Sequence, residues 1–245
     1  MRDGFGKWPA SQWLDLLETA ISAIGAVKGG TEVEWAIGGG SALSLGLEHR
    51  IPDGVEIILD SAAVLNAVNP VRNAVTREAL RDRGSSTASC ERLDNRLRLT
   101  LQSRGWIEFA TEASLVAGPL LECRILGISV LRERTADVVA KKVAFRGSRL
   151  SGLEVFDLAC AFTLQPDETE AAARSPYVDD AAILRSRSRI ALCRSLLERE
   201  ILRTVNPTAA GSEVLGRSCE LALEALDLME RTRTAGNAFG QAGSC

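Results

Sequence analysis

Trp35-Ala36-Ile37-Gly38-Gly39-Gly40-Ser41-Ala42-Leu43 opens the most informative part of this chain, which runs on through Arg50 into Asp53-Gly54-Val55-Glu56-Ile57-Ile58-Leu59-Asp60. The order reads as a short strand, a glycine turn, a short helix over Ser41 to Leu47 and a second strand over Val55 to Leu59. Glycines let backbone N–H groups approach an anion closely, and a helix start adds positive potential. Acidic side chains on a strand behind such a turn are the donor type that holds a hard divalent cation. The run from Val55 to Leu59 is apolar except for Glu56, as in a central strand carrying one inward carboxylate. A charge in that setting needs a partner, either a metal ion or an arginine such as Arg50. Turn and acids together point to a nucleotide.

Upstream, Trp13, Leu16, Leu17, Ala20, Ile21 and Ile24 recur at helical spacing, predicting an amphipathic helix from Ser11 to about Val27. Downstream, Asp60 to Leu80 reads as helix or loop broken at Pro70. Ser85 to Cys90 and Leu93 to Leu101 alternate polar with apolar residues, as strands do. Trp106-Ile107-Glu108-Phe109 is another short strand, and Leu121 to Ile125 with Ile128 to Leu131 form a pair around Gly127. Glu108 repeats the geometry of Glu56. If the two carboxylates face each other across a sheet, a cation or a shared proton must hold them together.

From Thr135 the pattern turns helical. Asp137 to Phe145 reads as one helix, Glu154 to Leu164 as another, and Val178 to Thr204 and Glu213 to Glu230 as two or more. The polar, proline-marked stretch from Gln165 to Pro176 reads as a loop and a domain boundary. The expected division is a domain over 1–164, a helical region over 165–235 and a flexible tail over 236–245.

The bulk composition narrows the classes. With 46% hydrophobic and 25% charged residues among 245, a packed globular protein is expected. A formal net charge of −3 provides no basic field for coating nucleic acid, although arginines gather at Arg146 and Arg149 and again from Arg185 to Arg203. The six cysteines show no CxxC spacing, and His49 is the sole histidine, so neither a zinc site nor a histidine cluster is expected. Reduced thiols, no leader pattern and no apolar run of membrane length predict a soluble cytoplasmic protein.

Two separated segments resemble the nucleotidyltransferase family of the AbiEii and AbiGii toxins of bacterial abortive-infection and toxin–antitoxin systems. The first is Ile37 to Leu43 with Arg50 and the acidic strand. The second is Ala140-Lys141-Lys142-Val143-Ala144-Phe145-Arg146-Gly147 followed by Glu154-Val155-Phe156-Asp157-Leu158-Ala159. The resemblance spans roughly residues 33 to 164. It implies an α+β fold of the polymerase-beta kind, a mixed sheet flanked by helices, with a helical C-terminal region. It implies that Gly39, Gly40 and Ser41 contact the triphosphate with Arg50, and that Glu56, Lys142 and Asp157 are catalytic. Magnesium would be held by Glu56 and Glu108, with Asp53 beside them.

The same resemblance implies transfer of a nucleotide from an NTP to an RNA (tRNA-like) or protein acceptor by a toxin, with a cognate antitoxin as partner. The sequence departs from the family pattern at four places. Gly54 stands at the first strand aspartate, Glu56 at the second, Pro52 at a serine, and Leu153-Glu154 at an Arg-Asp pair. Asp53 adjoins the lost aspartate, but one step along a strand turns a side chain to the opposite face. The alternative is a degenerate relative that binds a nucleotide or a protein partner without chemistry.

Overall fold

The computed structural model describes residues 12–27, 33–102, 105–118, 120–125 and 127–242, with side chains as far as residue 235. The expected helix start at Ser11 lies outside them. The chain divides into two compact units. One comprises Met1–Ser41, Pro52–Ala113 and Leu120–Glu133; the other comprises Ala42–Ile51, Ser114–Pro119 and Arg134–Cys245.

The first unit holds a mixed seven-stranded sheet of β1 (Trp35–Ile37), β2 (Gly54–Leu59), β3 (Thr87–Leu93), β4 (Arg96–Leu101), β5 (Gly105–Ala110), β6 (Leu121–Ile125) and β7 (Ile128–Arg132). The spatial order is β3-β4-β5-β2-β1-β7-β6, which puts the acidic strand β2 in the middle. β2 runs parallel to β5 and β1 parallel to β7, while the remaining neighbours are antiparallel. The α+β class read from the sequence is the observed one.

Strand alternation sorts the side chains of this sheet. Val55, Ile57, Leu59, Leu97, Leu99, Leu101, Ile107 and Phe109 are buried on one face. Helix α1 (Gln12–Val27) packs against β2 and β5 and buries Trp13, Leu16, Leu17, Ala20 and Ile24. Each such aliphatic side chain contributes about 1.5–3 kcal/mol through burial, so this face anchors the unit. α3 (Ala62–Ala67) and α4 (Ala74–Asp82) follow β2, with Pro70 in the break between them. The opposite face is polar. Register places Glu91, Arg98, Glu108 and Glu56 side by side across β3, β4, β5 and β2.

α2 (Gly39–Leu47) begins at the glycine turn, and the division between the units falls within it. The rest of the second unit is helical. The helix expected over Asp137 to Phe145 is α5 (Thr135–Lys141), followed by a π-helical turn (Lys142–Arg146) and a 3-10 turn (Gly147–Arg149). Lys142 and Arg146 are therefore not stacked one α-turn apart. α6 (Gly152–Leu164) starts with a capping box, in which Ser151 and Glu154 exchange hydrogen bonds. Glu154, one of the departures from the family pattern, thus starts a helix.

The expected loop from Gln165 is instead α7 (Pro166–Ala173), because Pro166 occupies the first helical position, where its missing N–H has no consequence. Glu168 of that helix accepts the Ala136 N–H at 3.0 Å, so the segment is packed structure and no linker. α8 (Asp180–Leu192) and α9 (Arg194–Thr204) break at Cys193, and α10 (Ala209–Leu215) and α11 (Ser218–Ala242) complete the unit. The backbone of the expected tail continues α11 as far as Ala242. Among the described residues no helix is long and apolar enough to cross a membrane.

A strap fixes the segment after α2. Glu48 takes φ +50 and redirects the chain. Thr208 then donates its N–H to the His49 carbonyl at 3.1 Å, and Ile51 donates to the Asn206 carbonyl at 2.9 Å. The backbone passes so close that a Cβ at Gly211 would lie 1.9 Å from the His49 carbonyl oxygen. We predict that Gly211→Ala destabilises the protein by about 1–3 kcal/mol, measured by urea unfolding. An unchanged midpoint would show that the strap yields freely.

Candidate functional site

In the first unit the glycine turn binds carboxylates. Gly39, at φ +52, donates its N–H to Glu133 Oε2 at 2.8 Å, and Gly40 donates its N–H to Glu56 Oε2. The positive φ favours glycine at position 39, and a side chain there would also displace the Glu56 carboxylate. The first N–H groups of a helix lack intrahelical acceptors, and two acidic groups satisfy them here. Ser41 is occupied with β2: its hydroxyl donates to the Gly54 carbonyl and accepts from the Glu56 N–H, both at 3.1 Å. The turn that the sequence assigns to phosphate therefore carries internal anions.

The structure brings Glu56 and Glu108 together as register partners on parallel strands. Guanidinium groups stand beside them. Glu108 Oε1 accepts from Arg96 at 2.9 Å, and Oε2 accepts from Arg98 at 3.0 Å. Arg96 also pairs with Glu112. Burial works against the charge on Arg96, but Glu112, Glu108 and Glu56 outweigh it and raise its pKa. Arg98 lies over the Trp106 ring, 4.1 Å from its centroid.

These residues do not fit a divalent cation. Both oxygens of Glu108 are engaged by arginines, Asp53 is exposed and lies before the start of β2, and Gly54 has no side chain. A Cβ at Gly54 would lie 2.2 Å from the Trp106 ring, so an aspartate has no room there. Among the described residues no three histidine, cysteine or carboxylate side chains converge as a metal site. Of the expected magnesium set, Glu108 is ion-paired with Arg96 and Arg98, Glu56 accepts the Gly40 N–H, and Asp53 is exposed ahead of β2.

The second unit gathers Arg50, Lys142 and Asp157. Asp157 is fully buried on α6 and accepts from Arg50 Nε at 2.7 Å and Nη2 at 3.1 Å. Lys142 Nζ lies 3.1 Å from its Oδ2, and His49 Nε2 lies 2.8 Å from its Oδ1. Burial alone would raise the Asp157 pKa, but Arg50, Lys142 and His49 hold it well below the usual carboxylate range. Burial lowers the His49 pKa, Asp157 opposes that shift, and Arg50 and Lys142 add to it. The ring is therefore neutral, with its proton on Nε2 facing the carboxylate. It stacks on Phe156 with centroids 5.5 Å apart, and its Nδ1 is buried without a hydrogen-bond partner.

Lys142 and Arg146, joined by the π-turn, reach different acids of α6, Asp157 and Glu154. Such widened turns recur at functional sites. In the arginine-rich stretch that the sequence offered as a guide for an acceptor, Arg187 pairs with Asp227 and Glu230, and Arg194 with Glu198. The five described cysteines are free; Cys160 is buried, and burial with Asp157 nearby pushes its thiol pKa far up, leaving it inert.

No protein-family model and no curated protein matches the chain. Among solved structures it is similar to MenT4, a nucleotidyltransferase toxin from Mycobacterium tuberculosis H37Rv, at 15% identity over 91% of each chain with a TM-score of 0.41. It is also similar to the antibiotic-resistance factor ANT(2'')-Ia, at 14% identity over 76% of this chain and 97% of that one, with a TM-score of 0.42.

Sequence reasoning missed Glu133, Arg96 and Arg98 as members of the site. Glu133 meets Gly39 across 94 residues, through the parallel pairing of β1 with β7, and no local pattern announces that contact. The arginines were visible only as the polar phase of an alternating strand.

Two predictions follow from the Asp157 cluster. Asp157→Asn leaves Arg50 and Lys142 without a buried counter-charge and destabilises by about 3–5 kcal/mol in denaturant unfolding; a loss under 1 kcal/mol would contradict the assignment. The second concerns pH. The native His49 stays neutral while the unfolded chain takes up a proton near pH 6.5, the ordinary histidine value. Its contribution to stability is whole above that pH and is lost as the pH falls towards the lower native pKa. Asp157 adds a second loss below about pH 4. His49→Gln, which keeps a donor for Asp157, should flatten the stability profile just below pH 6.5 and leave the lower limb in place.

Proposed function

We propose that this chain is a nucleotidyltransferase-like protein that binds a nucleoside triphosphate at its glycine turn without carrying out metal-assisted transfer. The observation that carries the reading is the Trp106 ring against Gly54, which fills the place of the first strand aspartate. Support for the ligand comes from the family resemblance over residues 33 to 164 and from the paired N–H donors of Gly39 and Gly40. A phosphate must displace the carboxylate of Glu133 from Gly39, so binding is weakened by an internal competitor. Glu133→Gln keeps an acceptor for the amide and removes the charge.

A second reading, an active transferase toxin with an RNA or protein acceptor and a cognate antitoxin, draws on one observation. Lys142, Arg50 and Asp157 are grouped in one unit, the residues the resemblance makes functional. Both readings are decided by titrating the four NTPs calorimetrically and assaying label incorporation from α-labelled NTPs into RNA and protein. We expect binding that tightens about tenfold in Glu133→Gln, equivalent to about 1.4 kcal/mol, and no incorporation. Magnesium-dependent incorporation would select the transferase, and binding by neither protein would end the nucleotide reading.

A further inference from the structure

The polar sheet face has the layout of a cation site with the cation already supplied by the chain. Two carboxylates on neighbouring parallel strands, Glu56 and Glu108, repel unless positive charge lies beside them. Arg96 and Arg98, two residues apart on β4 and hence on one face, deliver that charge to both oxygens of Glu108. Arg96 extends to Glu112, and the field of Glu56 also acts on it. Trp106 braces the Arg98 guanidinium from one side while its ring closes the space at Gly54. Two delocalised cations with fixed fork geometry therefore take the lone pairs that a hard divalent ion would need.

We infer that Arg96 and Arg98 are the resident cations of this face, and that they exclude divalent metal from it. A metal ion would have to strip both guanidinium groups from Glu108 and would then find no side chain at Gly54 to complete a donor set. The exclusion holds whether or not a nucleotide binds. Where a nucleotide does bind, a consequence that rests on the proposed function, its affinity is indifferent to magnesium.

The test uses Mn2+ as probe, read by electron paramagnetic resonance on the full chain. Wild type should show no saturable binding below about 1 mM, and Glu108→Gln should behave identically. Arg96→Gln/Arg98→Gln, which removes both guanidinium partners of Glu108 and the Arg96 partner of Glu112, should gain at least tenfold in Mn2+ affinity. Arg98→Gln alone, which keeps Arg96 on Glu108 and Glu112, should gain less and serves if the double variant fails to fold.

Submillimolar Mn2+ binding by wild type that Glu108→Gln abolishes would overturn the inference, as would no gain in a folded double variant. In a second arm ATP is titrated in EDTA and in magnesium; agreement within twofold supports the inference, and loss of binding in EDTA overturns it. If ATP binds in neither condition, the nucleotide reading falls and the Mn2+ arm alone decides.

Discussion

The helical unit depends on one buried negative charge. Asp157 has no exposed surface, and such a carboxylate is tolerable only because Arg50, Lys142 and His49 converge on its two oxygens. That requirement explains features with no other evident cause. The chain leaves α2 through a left-handed Glu48, the strap from Asn206 to Gly211 grips His49 and Ile51, and α5 opens into a π-turn at Lys142. Each places a cation or a donor against Asp157. The strain of a non-glycine residue at positive φ costs on the order of 1 kcal/mol, less than the penalty of leaving a buried charge unpaired.

The sheet face follows the same electrostatic logic with another outcome. Carboxylates gathered on the polar side of β2 and β5 need compensating charge, and two sources compete to supply it. A divalent ion offers a compact charge and demands several oxygens in a defined shell. Arginines offer directional N–H groups that match a carboxylate fork. On this face the arginines are covalently present at high local concentration and pair with Glu108 and Glu112. At the glycine turn Glu133 and Glu56 accept the N–H groups for which an incoming phosphate must compete.

The local elements were legible because periodicity reports them directly. The strand over Val55 to Leu59, the short strand at Trp106 and the helix after the glycines stand where their patterns put them, within a residue or two, while the strand read from Leu93 starts at Arg96. The misreadings share a physical origin. Pro166 reads as a breaker and starts a helix, and the helix read through to Phe145 gives way to a π-turn at Lys142, because such a turn leaves no mark in a 3.6-residue pattern. The site residues failed for a different reason. Glu56 and Glu108 could be paired in thought, but the partners that decide their chemistry come from β4. Arg50, one of two kinds of partner the sequence offers for Glu56, pairs with Asp157, 107 residues away.

Gly54 is part of one packed arrangement: the Trp106 ring lies where a side chain at position 54 would stand, and Arg98 stacks on the same ring. An aspartate at position 54 would drive its Cβ into the indole while both arginines still held Glu108, so that change alone would not build a metal site. The ion pairs and the ring lie across β4 and β5, beside β2. Whatever this face recognises, it does so with guanidinium, carboxylate and indole as its working groups.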